Sequence, residues 1–212
     1  GIFKREDVLI ISKKAADQPR TKIGLIAGDT ITIDTAIKGL IIKSANDAAT
    51  VLAENIAETE ADFAKLMTKT ANELGMKNTT FANASGLNNN VQKTTAGDMA
   101  MLMMALQQHF PEYYKYFAVK SFKYDGTAYY NYSKIISGYE GCDGVKTGYI
   151  DESGFNLLAS AKKGNNRVIA VLFGAKNQSS RDEEMKQLLD YGFLKIETNI
   201  TKNTDIAVLK NN

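Results

Sequence analysis

The chain has 212 residues, 44% hydrophobic and 24% charged, which gives it enough apolar material for one substantial core or two small ones and excludes a disordered or collagen-like chain. A formal net charge of +2 with no dense Lys/Arg cluster does not point to a nucleic-acid partner. The single cysteine, Cys142, excludes an intrachain disulfide, and the single histidine, His109, excludes a histidine-rich metal site.

No apolar run approaches the roughly 18 residues that a membrane span requires. The chain opens Gly1-Ile2-Phe3-Lys4 with neither a basic n-region nor an apolar h-region, so it reads as a mature or shortened piece. Along residues 6–33 the pattern predicts short strands and turns. Asp7–Ile11 is apolar and β-branched, Asp17-Gln18-Pro19-Arg20 is a break, and Ala27-Gly28-Asp29-Thr30 has turn chemistry ahead of Ile31–Ile33. From Asp34 the spacing becomes helical, first through Ile37, Leu40 and Ile41, then through Ala48, Val51, Leu52 and Ile56. Ser44-Ala45-Asn46-Asp47 lies between the two helical patterns and offers N-cap chemistry to the second.

Thr59 and Asp62 predict a capped helix carrying Phe63, Leu66, Met67 and Leu74 and closed by Gly75. The Asn-rich residues 76–93 predict a long irregular loop, and Thr94 or Thr95 then caps a helix whose Met99, Leu102, Met103 and Leu106 read as core. His109 ends that helix before Pro111 and reads as a helix-terminal residue. Ser121–Tyr132 alternates around Asp125-Gly126, a hairpin signal. Three strands follow, Gly144–Tyr149, Phe155–Ala161 and Arg167–Phe173, whose short connections require antiparallel neighbours. Cys142 reads as a small apolar residue beside the first of them. Ser180 with Glu183 predicts the cap of a last amphipathic helix bearing Met185, Leu188 and Leu189, and Ile206–Leu209 alternates like one further strand. The fold class is α+β, a helical block ahead of an antiparallel sheet with a helix laid on its face. The expected division is one domain over 1–195 and a tail, or the start of another domain, over 196–212.

No pair of Cys or His has ligand spacing, no phosphate-binding loop is present, and no cofactor is expected. Two short strings stand out. Lys146-Thr147-Gly148 sits inside a strand directly before Tyr149, with a glycine that permits close backbone approach. Ser44-Ala45-Asn46 is a polar triplet at a helix junction. Their plain readings are a solvated strand lysine and a capping serine.

In this order the two strings resemble the SxN and KTG motifs of penicillin-recognising serine enzymes, whose first motif is SxxK. Leu40–Ala49 and Gly144–Tyr149 resemble the D-alanyl-D-alanine carboxypeptidases of serine peptidase family S11. So do Leu74–Thr79, Asn83–Leu87, Gly97–Ala100 and Ser153–Leu157, and the similarity runs from about Asp7 to Phe193. The resemblance implies a β-lactamase/transpeptidase-like fold, an extracytoplasmic location, peptidoglycan stem peptides ending in D-Ala-D-Ala as substrate and β-lactams as ligands. It implies that Ser44 relays a proton to the leaving nitrogen and Asn46 holds the substrate amide. Lys146 would supply positive charge, Thr147 a hydroxyl to the terminal carboxylate, Gly148 close approach, and the Tyr149 N–H an oxyanion-hole donor. Arg181 at the start of the last helix would be a second carboxylate partner.

One element of the pattern departs. Upstream of Ser44 nothing reads S-x-x-K, and the only match, Ser160-Ala161-Lys162-Lys163, falls in a strand that points Ser160 and Lys163 to opposite faces. The expectation is therefore a shortened chain without the family's N-terminal strands and catalytic helix, inactive by itself. The alternatives are a non-catalytic relative that binds cell-wall peptides and a fragment that does not fold alone.

Overall fold

A computed structural model of the chain describes residues 3–198 and the strand 207–209. It resolves into two compact units, each treated by itself. The first gathers the chain up to Thr70 with Thr80–Lys93 and Ser121–Tyr132; the second gathers Ala71–Thr79, Thr94–Lys120 and the chain from Ser133 on.

In the first unit, β1 (Val8–Ile10) pairs antiparallel with β2 (Thr30–Thr32), Leu9 facing Ile31. Between them lies a single helical turn, α1 (Lys13–Ala16), which the spacing did not reveal and which Ser12 caps through the Ala15 N–H. Two helices follow at the expected places, α2 (Ile33–Ile42) and α3 (Asn46–Ala57). Leu9, Ile23, Ile31, Ala36, Ala45, Ala48 and Val51 are buried in one cluster, with Phe122, Tyr124 and Tyr129 of a hairpin against it. That hairpin, β3 (Ser121–Tyr124) and β4 (Thr127–Tyr130), turns through Asp125 and Gly126, both at positive φ, as a two-residue turn of this hand requires. The helix α4 (Glu60–Glu73) is capped by Thr59, whose hydroxyl accepts from the Asp62 N–H at 3.1 Å. It ends at Gly75, which has φ +89.

The second unit is built on a sheet. The strands β5 (Cys142–Ile150), β6 (Gly154–Lys163) and β7 (Asn166–Ala175) form an antiparallel meander, each somewhat longer than its apolar pattern. Ala207–Leu209, β8, adds a short parallel strand beside Ala170–Leu172, with strand order β5-β6-β7-β8. The remainder of the predicted tail lies outside the described residues. One face of the sheet is covered by α8 (Gln178–Glu197): Met185, Leu188, Leu189 and Phe193 pack on Val145, Leu157, Ala159 and Val168. The other face is covered by α5 (Ala96–His109), whose Met103 packs with Leu158, Val171 and Tyr114. Tyr114 belongs to the short helix α6 (Pro111–Tyr114); α7 (Ile135–Gly138) precedes β5.

Two expected caps are corrected. The N-cap of α8 is Asn177, not Ser180: the Asn177 side chain accepts from the Ser180 N–H at 2.9 Å while the Ser180 hydroxyl accepts from the Asn177 N–H, so Ser180 is the returning partner of the cap. The N-cap of α3 is Ala45, which has no capping side chain, because the neighbouring polar residues bond elsewhere.

Candidate active site

The Ser44 segment is a corner between two helices. α2 ends at Lys43, and the N–H groups of Lys43 and Ala45 both return to the Gly39 carbonyl at 3.1 Å. Ser44 sits between them at φ 54, the left-handed region that a serine adopts only where its surroundings enforce it. The corner is close-packed: Ala45 is fully buried, and a Cβ on Gly39 would stand 3.0 Å from Ile23 Cδ1 and 3.3 Å from Ala48 Cβ.

Asn46 opens α3 and is 7% exposed. Its N–H donates to the Thr21 carbonyl at 2.7 Å and its Nδ2 to the Pro19 carbonyl at 3.1 Å. The Asn46 Oδ1 accepts no hydrogen bond from a described residue, so it is the acceptor that the corner offers.

Asp47, which sequence reasoning passed over, holds the corner in place. It is fully buried, and its carboxylate accepts from four backbone N–H groups: Ile23 at 3.1 Å, Gly24 at 2.9 Å, Leu25 at 3.1 Å and Ala48 at 2.9 Å. A buried carboxylate survives only with such a set of donors. The sequence signal was an acid in the first turn of a helix; three of its four partners lie more than twenty positions away, where no local pattern reaches them.

Lys146-Thr147-Gly148 lies on β5, the edge strand of the sheet. Lys146 stands opposite Leu158 and Thr147 opposite Leu157. Directly opposed residues share a face, so Lys146 is on the α5 side with Leu158 and Thr147 on the α8 side with Leu157. The Lys146 ammonium donates to the Thr147 carbonyl at 3.0 Å. Burial draws this ammonium down from 10.5 to about 8, because a low-dielectric surrounding disfavours its charge. Gly148 is exposed opposite Asn156, and the Tyr149 ring packs tilted against Phe155 with centroids 4.5 Å apart while its hydroxyl donates to Asp151 at 2.8 Å.

Arg181 stands in the first turn of α8 and is buried, 2% exposed. Its Nε and Nη2 donate to Asp182 Oδ1 at 2.9 and 2.8 Å. Asp182 in turn accepts from the Ser133 hydroxyl and the Lys134 N–H, both at 3.1 Å, which ties the start of α8 to the segment leading into α7 and β5.

The one S-x-x-K match fails as a nucleophile–base pair. Ser160 is fully buried in β6 and its hydroxyl accepts from Arg167, whereas the Lys163 ammonium lies over the rings of Tyr139 and Phe193 on the α8 side. Cys142, half-buried at the start of β5, packs against the α8-side core, and burial pushes its thiol up to about 11. Among the described residues no group of three His, Cys, Asp or Glu side chains could hold a metal ion, and no helix is long and apolar enough to cross a membrane.

Comparison with known proteins places the chain in a family and a fold. The chain is 36% identical over 99% of its length to D-alanyl-D-alanine carboxypeptidase DacF of Bacillus subtilis, covering 56% of that protein. It is 39% identical over 81% of its length to DacC of Escherichia coli, covering 43% of it. It thus spans about half the length of these relatives. Among solved structures, D-alanyl-D-alanine carboxypeptidase DacD of Francisella tularensis superposes with a TM-score of 0.86 at 28% identity, over 90% of this chain and 59% of that one. Penicillin binding protein 6B of Escherichia coli superposes at 0.85 with 33% identity, over 91% and 63%. These likenesses bear out the α+β, transpeptidase-like fold. The profile of peptidase family S11 matches residues 1–177, and the chain belongs to that family, the D-alanyl-D-alanine carboxypeptidases.

Proposed function

We propose that this chain carries the SxN and KTG portions of a serine-type D-alanyl-D-alanine carboxypeptidase that acts on peptidoglycan stem peptides outside the cytoplasm. The observation that carries the reading is Lys146: an ammonium partly withdrawn from water, on an edge strand, inside the span that matches the family. Such a charge gains by meeting a carboxylate, and an edge strand can take an extended peptide as an additional strand. In this reading Lys146 and the Thr147 hydroxyl engage the terminal carboxylate, Gly148 lets the ligand backbone approach, and the Tyr149 N–H donates to the developing oxyanion. Asn46 Oδ1 accepts from a peptide N–H, and Ser44 passes a proton to the leaving nitrogen. Arg181 adds a second positive charge, oriented by Asp182. β-Lactams are the second ligand class.

The proposal assigns no nucleophile among these residues, because Ser160 is buried and bonded to Arg167. That observation favours a second reading, a relative that binds cell-wall peptides without cleaving them. Two measurements separate the outcomes. A diacylated Lys-D-Ala-D-Ala should bind the 212-residue chain, and its C-terminal amide should bind at least about tenfold more weakly, since it lacks the charge. Equal affinities overturn the carboxylate assignment. Arg181→Lys should weaken the free acid more than the amide, and equal losses would remove Arg181 from the site. Labelled penicillin should leave no covalent adduct on this chain; an adduct on Ser160 would overturn its exclusion.

A further inference from the structure

Asp143 is the residue of β5 that stands outside the ladder. Cys142 is opposite Ala161 but Gly144 is opposite Ser160, so Asp143 is the extra residue of a β-bulge three positions before Lys146. Its carboxylate does not point idly to solvent. It grips Arg167 of β7 end-on, accepting from Nη1 at Oδ1 at 2.7 Å and from Nη2 at Oδ2 at 2.6 Å. The same guanidinium donates to the buried Ser160 hydroxyl of β6. With its amide oxygen turned inward, Gln107 of α5 also accepts from it, at 2.8 Å from Nη2. One planar cation therefore links the bulge to both other strands of the meander and to the helix beneath. Gly144, next to the bulge and opposite Ser160, is held on that same α5 side, where a Cβ would collide with the Tyr114 hydroxyl and stand 2.6 Å from Met103 Cε.

A bulge decides parity. Past Asp143, Lys146 shares the α5 face with Leu158, and Val145 and Thr147 share the α8 face with Ala159 and Leu157. Were Asp143 drawn into the ladder, β5 would shift by one residue and every side chain from Gly144 onward would change face. Lys146 would then turn to the side where Met185, Leu188 and Leu189 pack. The strand itself, Gly-Val-Lys-Thr-Gly, resists such a slip weakly, because glycines and short side chains specify register poorly.

We propose that Asp143 and Arg167 are positioning residues for Lys146 and Thr147: their ion pair holds the bulge, and the bulge sets the face of the sheet that each of the two side chains takes. Its bearing on ligand recognition rests on the function proposed above; the arrangement itself does not, and the test needs no ligand. In the full chain labelled with ¹³C-lysine, the Lys146 resonance (identified with Lys146→Arg) should titrate near 8 in the wild type. Asp143→Asn removes the charge and keeps the shape; Arg167→Lys keeps the charge and loses the fork. In both, the Lys146 midpoint should fall below its wild-type value, because the face to which a slip turns Lys146 is lined by the buried Met185, Leu188 and Leu189. Amide exchange of residues 145–148 should quicken about tenfold relative to Leu188 and Leu189 of α8. Asp143→Glu, which can still bridge, should stay near the wild-type values.

The charge-conserving variant is decisive. Loss of a nearby negative charge alone would lower the lysine midpoint in Asp143→Asn and leave it unmoved in Arg167→Lys, so a fall confined to Asp143→Asn overturns positioning in favour of plain electrostatics. Variants that melt lower while the Lys146 midpoint and residues 145–148 stay unchanged overturn it as well. Collapse of both variants would also count against it, by making the pair part of the fold at large. Failure to bind D-Ala-D-Ala peptides would sink the proposed function and leave these readings untouched.

Discussion

Lys146→Met offers a stability measurement that isolates one charge. The ammonium falls from 10.5 to about 8 through burial, a gap that corresponds to about 3.4 kcal/mol at about 1.36 kcal/mol per pH unit. Water around the half-buried side chain discounts this to about 1–2 kcal/mol. The bond from Nζ to the Thr147 carbonyl offsets a further ~0.5 kcal/mol. The sign follows from linkage. Below pH 8 both folded and unfolded chains hold the proton, and the folded state carries the full cost of a desolvated cation. Between 8 and 10.5 the folded chain sheds the proton first, so stability rises with pH; above 10.5 both states are neutral and the cost is gone. At pH 7 the methionine variant should therefore be more stable than the wild type by about 1 kcal/mol. At pH 11 it should be equal or slightly less stable. Urea unfolding at the two pH values gives the comparison, and subtracting variant from wild type cancels every other titrating group. A difference that stays constant from pH 7 to 11 refutes the buried-ammonium account. A ligand carboxylate that meets this cation should raise its midpoint, because a partner that binds the charged form holds the proton.

Asp47→Asn should cost about 2–4 kcal/mol in the same assay, since a neutral amide cannot accept from four converging N–H groups, whereas Asp62→Asn on the exposed face of α4 should cost less than about 0.5 kcal/mol. Equal effects would mean that the Asp47 hub is not what holds the corner. Gly192→Ala should destabilise by about 1–2 kcal/mol despite alanine's better helix propensity, because the new Cβ would stand 2.6 Å from Val168 Cγ1 on β7. Adding Val168→Ala should return most of that loss, and additivity of the two changes would show that α8 and β7 do not meet there.

The meander was legible in the sequence because each of its strands carries a local signal: β-branched runs, Gly-containing turns and alternation that flips at Asp151–Gly154 and Gly164–Asn166. The helices α3, α4 and α5 were legible for the same reason. The caps of α3 and α8 were not. At α3 the best capping acid, Asp47, bonds the backbone at Ile23–Leu25 instead, and Ser44 is turned left-handed by the packing of Gly39 and Ala45. Such preferences are overruled by contacts distant in sequence. The site divides likewise. Ser44, Asn46 and Lys146–Tyr149, the residues proposed for the site, stand out as short strings, but Asp47, Asp143 and Arg167 touch their partners only after folding. Arg181, also proposed for the site, stands at a helix start, and that place next to Asp182 gives no hint of its burial.

The order in which the second unit assembles follows from its strand connections. β5, β6 and β7 are joined by turns at 151–153 and 164–165, so their ladders close over short loops at small entropic cost. β8 can pair with Ala170–Leu172 only after the chain has travelled the length of α8, and it gains a three-residue parallel ladder for doing so. Loop closure alone favours the β5–β6–β7 pairings ahead of the β7–β8 pairing, and φ-values at Leu157, Val171 and Val208 would test that expected order. The two margins of the sheet are thus built differently: β5 is tied to β6 through a turn of three residues, whereas β8 is reached only across the length of α8 and pairs over three residues.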